Sequence, residues 1–155
     1  MCIRDRDKPL GTGGSLVNLK DSMIEDFILT NCDVIFDIDI PDLVAFHAQA
    51  CNAITLVAST KEIQLPYGNI TLDKNGKLQS TEEKPKFDFL VNTGMYVVSR
   101  EVLDLIDKDE SIDFPDLIQR ATLNGLSVGV YPIAEDHWVD TGQWAEYKNA
   151  IKKLS

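Results

Sequence analysis

DFILTNCDVIF, residues 26–36, is the segment that best predicts the fold class of this chain. Its first half is a short apolar, partly β-branched run, which is typical of a buried strand, and the run ends in Asn31, Cys32 and Asp33. Ligands of open α/β sheets bind beyond the carboxyl ends of the strands, so the position of Asp33 favours a functional role. A carboxylate there suits Mg²⁺, which proteins hold with one or two carboxylates and substrate phosphates. The alternative is an Asp33 that only caps a loop.

Strands and helices alternate along the rest of the chain, and Asn75-Gly76 predicts a hairpin between them. Pro41 and Pro115 stand where helices can begin, and Gly125 stands where the second of these helices can end. The alternation predicts a single α/β domain with three layers, a mostly parallel sheet and an inserted hairpin. Strands are predicted at residues 53–58, 67–85 (as two strands), 90–99 and 127–134, and further helices at 16–23, 100–106 and 143–154.

Composition excludes several classes of function. The chain has 155 residues, is 44% hydrophobic and carries a net charge of -10, which suits one buried core and disfavours a nucleic-acid partner. No apolar stretch is long enough to cross a membrane. Cys2, Cys32 and Cys51 show no spacing typical of metal sites or disulfide frameworks. We therefore expect a cytoplasmic protein with reduced thiols and with neither nucleic-acid nor membrane partners.

The glycine-rich segment KPLGTGGSL, residues 8–16, fits neither of the common phosphate-binding motifs. No Gly-Lys-Ser/Thr follows at P-loop spacing, and Leu16 occupies the third glycine position of the dinucleotide fingerprint. What remains is a glycine-rich turn into a helix N-terminus, whose free amides can approach a ligand closely. A tight turn without a ligand is the alternative.

A second carboxylate at a strand end is Asp140, within HWVDTG at residues 137–142. If its strand lies beside the strand before Asp33, the two carboxylates can share one metal ion, whereas an Asp before a glycine turn is otherwise common. The histidines carry less weight: we interpret His47 as a surface residue of its helix and His137 as an isolated side chain.

Two further polar segments interrupt the predicted strands. Pro85 disfavours helix at the preceding residue, so we expect Lys84 to be extended and to point with Glu83 into a cleft; a solvated charge cluster is the alternative. Asn92-Thr93-Gly94 breaks an apolar strand with small polar residues, which indicates close approach of another group.

Six segments in this order resemble the sugar-nucleotide pyrophosphorylases, the nucleotidyltransferases that join a nucleoside triphosphate to a sugar 1-phosphate. The segments are LGTGGSL, TNCD, PYGNI, EEKP, VNTGMYVVS and HWVDTG, and the resemblance runs from about residue 8 to the end of the chain. Within that family, the segments resemble the mannose-1-phosphate guanylyltransferase-like branch. The resemblance implies a three-layer, Rossmann-like nucleotidyltransferase fold with a mixed or parallel central sheet. It also implies Mg²⁺ as cofactor and a nucleoside triphosphate and a sugar 1-phosphate as partners.

The resemblance also implies a role for each matching residue. Asp33 and Asp140 correspond to metal ligands and, with Lys84, to catalytic residues, although Cys32 replaces the glycine of the family's Asn-Gly-Asp signature. The implied nucleotide-binding residues are Gly11, Thr12 and Gly14, and the implied sugar-binding residues are Gly68, Glu83, Lys84, Asn92 and Gly94.

The family's first strand and its glycine-rich triphosphate loop have no counterpart in this sequence. We therefore expect residues 1–7 to be a non-native or disordered start, and residues 8–155 to be the C-terminal two thirds of the domain, an incomplete fragment without activity of its own. One alternative is a non-catalytic regulatory subunit that binds sugar nucleotides with the same fold. Another is a glycosyltransferase with Asp37-Ile38-Asp39 as its metal motif. The nucleobase, the sugar and the oligomeric state, including a homo-oligomer, are left open.

Overall fold

The fold is taken from a computed structural model, which describes residues 9–22 and 24–142. These residues form eight strands and three α-helices, with short 3₁₀ turns at 15–19, 100–105 and 135–137. The strands are β1 (Phe27–Thr30), β2 (Val34–Phe36), β3 (Ile54–Gln64), β4 (Asn69–Leu72), β5 (Leu78–Glu82), β6 (Lys86–Val98), β7 (Val128–Ile133) and β8 (Trp138–Asp140). The helices are α1 (Gly11–Gly14), α2 (Ile40–Gln49) and α3 (Phe114–Leu123).

The central sheet is mixed and has the strand order β1-β6-β3-β7, while β2-β8 and β4-β5 form two small two-stranded sheets. The predicted α/β class, the mixed sheet and the inserted hairpin are confirmed. Parallel pairing is less common than expected, because only β3 and β7 run parallel and β6 is antiparallel to both of its neighbours. The chain passes from β3 to β6 through the β4-β5 hairpin rather than through a crossover helix, so it returns in the opposite direction.

The core lies on both faces of the central sheet, which gives the three predicted layers. Alternate residues of β6 point to opposite faces, so Tyr96 and Val98 pack with α3 while Met95 and Val97 pack with α2. Leu43 and Leu117 are fully buried at the centres of the two layers. Burying one such leucine stabilises the fold by about 1.5–3 kcal/mol.

Local chemistry places the ends of the two long helices. The side chain of Asp39 accepts a hydrogen bond from the backbone N–H of Asp42 at 3.0 Å and caps α2, with Pro41 in its first turn. Pro115 opens α3, and Gly125, with a φ of +80°, follows its end.

The other predicted helices differ from what the structure contains. Residues 15–19 and 100–105 form 3₁₀ turns instead of the α-helices predicted at 16–23 and 100–106. The predicted closing helix at 143–154 and the start at 1–7 lie outside the described residues. Within the described ranges, no helix is long and apolar enough to cross a membrane.

Candidate active site

Asp33 directly precedes β2 and Asp140 is the last residue of β8, and these two strands lie side by side. β2 and β8 are antiparallel, with Val34 opposite Asp140. The carbonyl oxygen of Asp33 accepts hydrogen bonds from both the backbone N–H and the hydroxyl of Thr141, each at 2.8 Å. The turn after β1 and the end of β8 are therefore joined at the position of the two candidate carboxylates.

The carboxylates of Asp33 and Asp140 meet at Gly142. A Cβ atom at residue 142 would lie 2.8 Å from Oδ2 of Asp33 and 3.1 Å from Oδ1 of Asp140, so the separation of these oxygens cannot exceed the sum of the two distances. The backbone N–H of Gly142 also donates to Oδ1 of Asp140 at 2.9 Å. The missing side chain of Gly142 leaves the space between the two carboxylates open.

The exposed carboxylate of Asp33 and the half-buried carboxylate of Asp140 at one point are a hard oxygen donor set, which fits Mg²⁺. Residues 9–22 and 24–142 hold no cluster of three or more His, Cys, Asp or Glu side chains arranged to bind a metal ion. A metal ion held by Asp33 and Asp140 would thus complete its coordination with water or with phosphate oxygens of a substrate, as Mg²⁺ commonly does.

The turn before Asp33 contacts the polar interruption in β6. The backbone N–H of Asn31 donates to the carbonyl of Gly94 at 2.9 Å, and a Cβ at residue 94 would lie 2.5 Å from Nδ2 of Asn31. Gly94 has a φ of +83°, which favours glycine. The close approach expected at residues 92–94 is confirmed, and the approaching group is the side chain of Asn31.

Asn92 and Thr93 hold the β6 interruption in place. Asn92 donates from Nδ2 to the Tyr96 hydroxyl at 2.7 Å and accepts from the N–H of Gly94 at 3.1 Å. The hydroxyl of Thr93 donates to the carbonyl of Val57 at 2.7 Å. The pairing of β3 with β6 shifts register here, which marks a β-bulge. Burial raises the pKa of the Tyr96 hydroxyl, although the hydrogen bond from Asn92 opposes this shift.

Gly68 and Glu83 lie together at the open end of the β4-β5 hairpin. A Cβ at residue 68 would be 2.9 Å from Oε2 of Glu83. The extended conformation expected for Lys84 is wrong, because its φ is +49°. The chain must turn between β5 and β6 at this residue, and Gln64 fixes the turn by donating from Nε2 to the Lys84 carbonyl at 3.2 Å.

The candidate residues therefore form two groups along the β3–β6 ribbon. Asn92 and Gly94 are at the bulge beside the turn that carries Asp33, whereas Glu83 and Lys84 are beyond the ladder pair of Gln64 and Lys86. The part of β6 between the two groups, from Val91 to Lys86, advances five residues, which is roughly 17 Å at the rise of an extended strand.

The glycine-rich segment at 11–14 packs against the loop before α3. The N–H groups of Gly13 and Gly14 donate to the carbonyl of Ile112 at 2.9 and 3.0 Å, and the N–H of Thr12 donates to Oδ1 of Asp113 at 3.0 Å. Gly11 has a φ of +71°, and its Cβ would lie 2.6 Å from the same carbonyl. These contacts account for the glycines, and they occupy the amides of Thr12 and Gly14, two of the three residues expected to bind the nucleotide.

His47 is the clearest side chain that the sequence analysis placed wrongly. Its exposed fraction is 1%, and its two ring nitrogens contact the hydroxyls of Thr55 at 2.8 Å and Ser99 at 3.1 Å. Leu43, one helical turn earlier, is fully buried as well. That spacing of four residues was the available signal that both lie on the inner face of α2.

The Asp37-Ile38-Asp39 motif has a structural use. Asp39 is the N-cap of α2, and the N–H of Asp37 donates to the carbonyl of His137 at 2.9 Å, at the opposite end of the β2–β8 ladder from Asp140. A cleft of about 620 Å³ borders this end; its lining residues are Asp37, Ile38, Asp39, Tyr131, Pro132, Ile133, Ala134 and His137.

Comparison with known proteins gives the same family as the sequence motifs. The family model for nucleotidyl transferase matches residues 3–155. A UTP–glucose-1-phosphate uridylyltransferase of Synechocystis sp. is 30% identical over 94% of this chain and 40% of its own length. The catalytic subunit beta of a mannose-1-phosphate guanylyltransferase from Drosophila melanogaster is 33% identical over 88% of the chain and 38% of its own length. The chain therefore spans about two fifths of these relatives.

Solved structures agree on the fold. HddC from Yersinia pseudotuberculosis superposes with a TM-score of 0.65 at 20% identity, covering 97% of this chain and 65% of that one. A putative glucose-1-phosphate thymidylyltransferase from Bacillus anthracis gives 0.66 at 18% identity, covering 95% and 62%. At these identities the likeness shows the fold alone.

Proposed function

The chain belongs to the nucleotidyl transferase family, and we propose that its protein transfers a nucleotidyl group from a nucleoside triphosphate to a sugar 1-phosphate. The products are an NDP-sugar and pyrophosphate. One observation carries the proposal: the carboxylates of Asp33 and Asp140 meet at Gly142, at the end of the β2–β8 ladder. The relatives, whose names include a glucose-1-phosphate uridylyltransferase and a mannose-1-phosphate guanylyltransferase, support this reaction class.

In this reaction the bonds that form and break belong to the two substrates. A phosphate oxygen of the sugar 1-phosphate bonds to the α-phosphorus of the triphosphate, and the bond from that phosphorus to the pyrophosphate breaks. Catalysis is then a matter of holding the two phosphates in line and neutralising their charge. In this proposal Asp33 and Asp140 hold Mg²⁺, which when bound supplies that neutralisation. This step needs no nucleophilic side chain from the protein.

The other proposed contacts bind and orient the substrates. Lys84 contributes a compact positive charge beside the sugar phosphate, and Glu83 accepts from sugar hydroxyls next to the open backbone at Gly68. Asn92 lies exposed on the sugar side of the site at the bulge, where its amide already bonds Tyr96 and Gly94, and the buried Gly94 shapes this side of the site from behind.

The nucleotide contacts are proposed at the segment 11–14. Thr12 and Gly11 are exposed there, whereas Gly14 is buried and acts by allowing the turn to pack. Because the amides of the turn bond residues 112 and 113, a base or ribose at this position would meet the exposed edge of Thr12.

We also propose a cytoplasmic location. The thiols of Cys32 and Cys51 are free and exposed in the described part of the chain, which suits a reducing compartment. The net charge of -10 argues against a nucleic-acid partner.

The test is pyrophosphate release by the longest reading frame that encodes residues 1–155, with four nucleoside triphosphates against mannose and glucose 1-phosphates. We expect Mg²⁺-dependent release with at least one pair, and its loss in Asp33→Asn. Failure with every pair, combined with tight binding of an NDP-sugar, would identify the non-catalytic regulatory subunit instead. Neither release nor binding would reject the proposed function.

A further inference from the structure

We propose that Asn31 and Gly94 are a positioning pair that sets the location of the Asp33 carboxylate. The side chain of Asn31 packs against Gly94, and Asn31 is the first residue of the turn that ends at Asp33. The catalytic meaning of this pair rests on the proposed function above, but its structural part is independent of any metal ion or substrate.

The contact between Asn31 and Gly94 has two components. The backbone N–H of Asn31 donates to the Gly94 carbonyl at 2.9 Å, which extends the pairing of β1 with β6 by one residue. The side chain of Asn31 then covers the α-carbon of Gly94, so that a Cβ there would lie 2.5 Å from Nδ2 and 2.9 Å from Cγ. Two atoms of one planar amide would clash with a side chain at residue 94, so the Asn31 amide would have to leave its place over Gly94.

Gly94 itself cannot move easily away from such a clash. It is buried, its N–H donates to Oδ1 of Asn92, and the neighbouring Thr93 donates to the Val57 carbonyl in the middle of the sheet. The bulge is therefore attached to the two longest strands, β3 and β6. A site residue placed by such an element is held more closely than one on a free loop.

The turn from Asn31 to Asp33 is fastened at both of its ends. Asn31 is bonded to Gly94, and the Asp33 carbonyl accepts from the N–H and hydroxyl of Thr141. A displacement of the Asn31 backbone would therefore move Asp33 relative to Thr141 and to the space at Gly142, because only Cys32 lies between them. Asn31 and Gly94 are thus positioning residues, and neither needs to touch substrate for this role.

The chain offers a matched control for the substitution Gly94→Ala. Gly125 has a φ of +80°, close to the +83° of Gly94, but a Cβ at residue 125 would meet no atom within 4 Å. Gly125→Ala thus carries the same left-handed backbone cost without the clash. The double variant Asn31→Ala with Gly94→Ala removes the amide and leaves only the Cβ of residue 31, 3.4 Å from the new methyl group.

The first readout is hydrogen exchange of the Thr141 amide in the metal-free chain, compared with the exchange of the core amide of Val97. We expect Gly94→Ala to increase the exchange rate at both amides, with a factor of increase about ten times larger at Thr141 than at Val97. Gly125→Ala should increase both rates by the same factor. The double variant should exchange at Thr141 more slowly than Gly94→Ala does. Equal effects of Gly94→Ala and Gly125→Ala on Thr141, or no recovery in the double variant, would overturn the positioning pair.

The second readout is the affinity of the same variants for Mn²⁺ as a probe of the carboxylate pair. We expect Gly94→Ala to weaken binding by about tenfold or more, as loss of a supporting contact typically does, with Gly125→Ala unchanged. If the unsubstituted chain binds no Mn²⁺, the proposed metal site fails, while the exchange comparison still decides between a positioning pair and an incidental contact.

Discussion

Asp33 and Asp140 direct one carboxylate oxygen each to the same point beside Gly142, although they belong to opposite sides of the β2–β8 ladder. Strand pairing brings them together, since Val34 lies opposite Asp140 and the Asp33 carbonyl bonds Thr141. Two hard oxygen donors directed at one point suit a divalent cation.

Gly142 keeps the space between the carboxylates open, so Gly142→Ala tests whether that space is used. The new methyl group would meet the ends of two flexible side chains at 2.8 and 3.1 Å, and both side chains can rotate away. We expect the free energy of unfolding to change by less than about 0.5 kcal/mol, while Mn²⁺ affinity falls about tenfold. Calorimetric titration with Mn²⁺ and urea unfolding measure the two quantities. Unchanged affinity would mean that no cation binds there.

Gly14 provides a test of the packing of the glycine-rich segment. A Cβ at residue 14 would overlap the carbonyl of Glu110, whereas a Cβ at Gly13 would meet its nearest atoms at 3.2 Å. Gly14 has ordinary helical backbone angles, so intrinsic propensity alone would make alanine more stable by about 1 kcal/mol. We expect Gly14→Ala instead to lower the free energy of unfolding by about 1–3 kcal/mol, and by more than Gly13→Ala. A stabilised Gly14→Ala protein would contradict the described packing.

The ion pair of Glu110 and Arg120 predicts how stability depends on pH. Arg120 donates to both carboxylate oxygens, at 2.8 and 2.5 Å, and these bonds, with a further one from the N–H of Asp107, lower the pKa of Glu110 from 4.5 to about 2. A carboxyl group whose pKa is lowered by folding contributes stability above its unfolded pKa and loses it as the pH falls toward the folded one.

The free energy of unfolding should therefore fall less between about pH 4.5 and about pH 2 in Glu110→Gln than in the unsubstituted protein. The measurement is urea unfolding of both proteins at pH 6 and at pH 3. We expect the two proteins to differ more at pH 6 than at pH 3. The same difference at both values would show that the pair contributes no pH-dependent stability.

His47 should be one of the most sensitive polar residues of the fold. Its ring is buried between α2 and the sheet, and its removal would delete one hydrogen bond to each of the hydroxyls of Thr55 and Ser99 and create a cavity. We expect His47→Ala to cost about 2–4 kcal/mol of unfolding free energy. The exposed His137 is the control, and His137→Ala should change stability by less than about 0.5 kcal/mol. Similar effects of the two variants would contradict the buried network.

The features that the sequence predicted well depend on neighbouring residues. The strand before Asp33, the proline start of α2 and the turn at Asn75-Gly76 follow from short patterns, and the structure contains each of them. The place of Asp140 beside Asp33 was predicted only on the condition that their strands are neighbours, and it depends on the antiparallel pairing of β2 with β8.

The features that it missed depend on distant partners. The amides of the glycine-rich segment bond residues 112 and 113. His47 on α2 contacts Thr55 in β3 and Ser99, which directly follows β6. Lys84 adopts a positive φ because β5 and β6 must be joined by a turn, and Gln64 from a third strand holds that turn. No local pattern in the sequence contains these contacts, although the four-residue spacing of Leu43 and His47 indicates that His47 faces the core.

The most direct test of the central claim is a double-mutant cycle on Mn²⁺ binding with Asp33→Asn, Asp140→Asn and the double variant. If the two carboxylates hold one ion, each single substitution weakens binding by about tenfold or more, and the double variant is little worse than either single one. Asp37→Asn, at the other end of the ladder, is the control and should leave affinity unchanged. Full binding by both single variants, or losses that simply add, would contradict a shared metal site at Asp33 and Asp140.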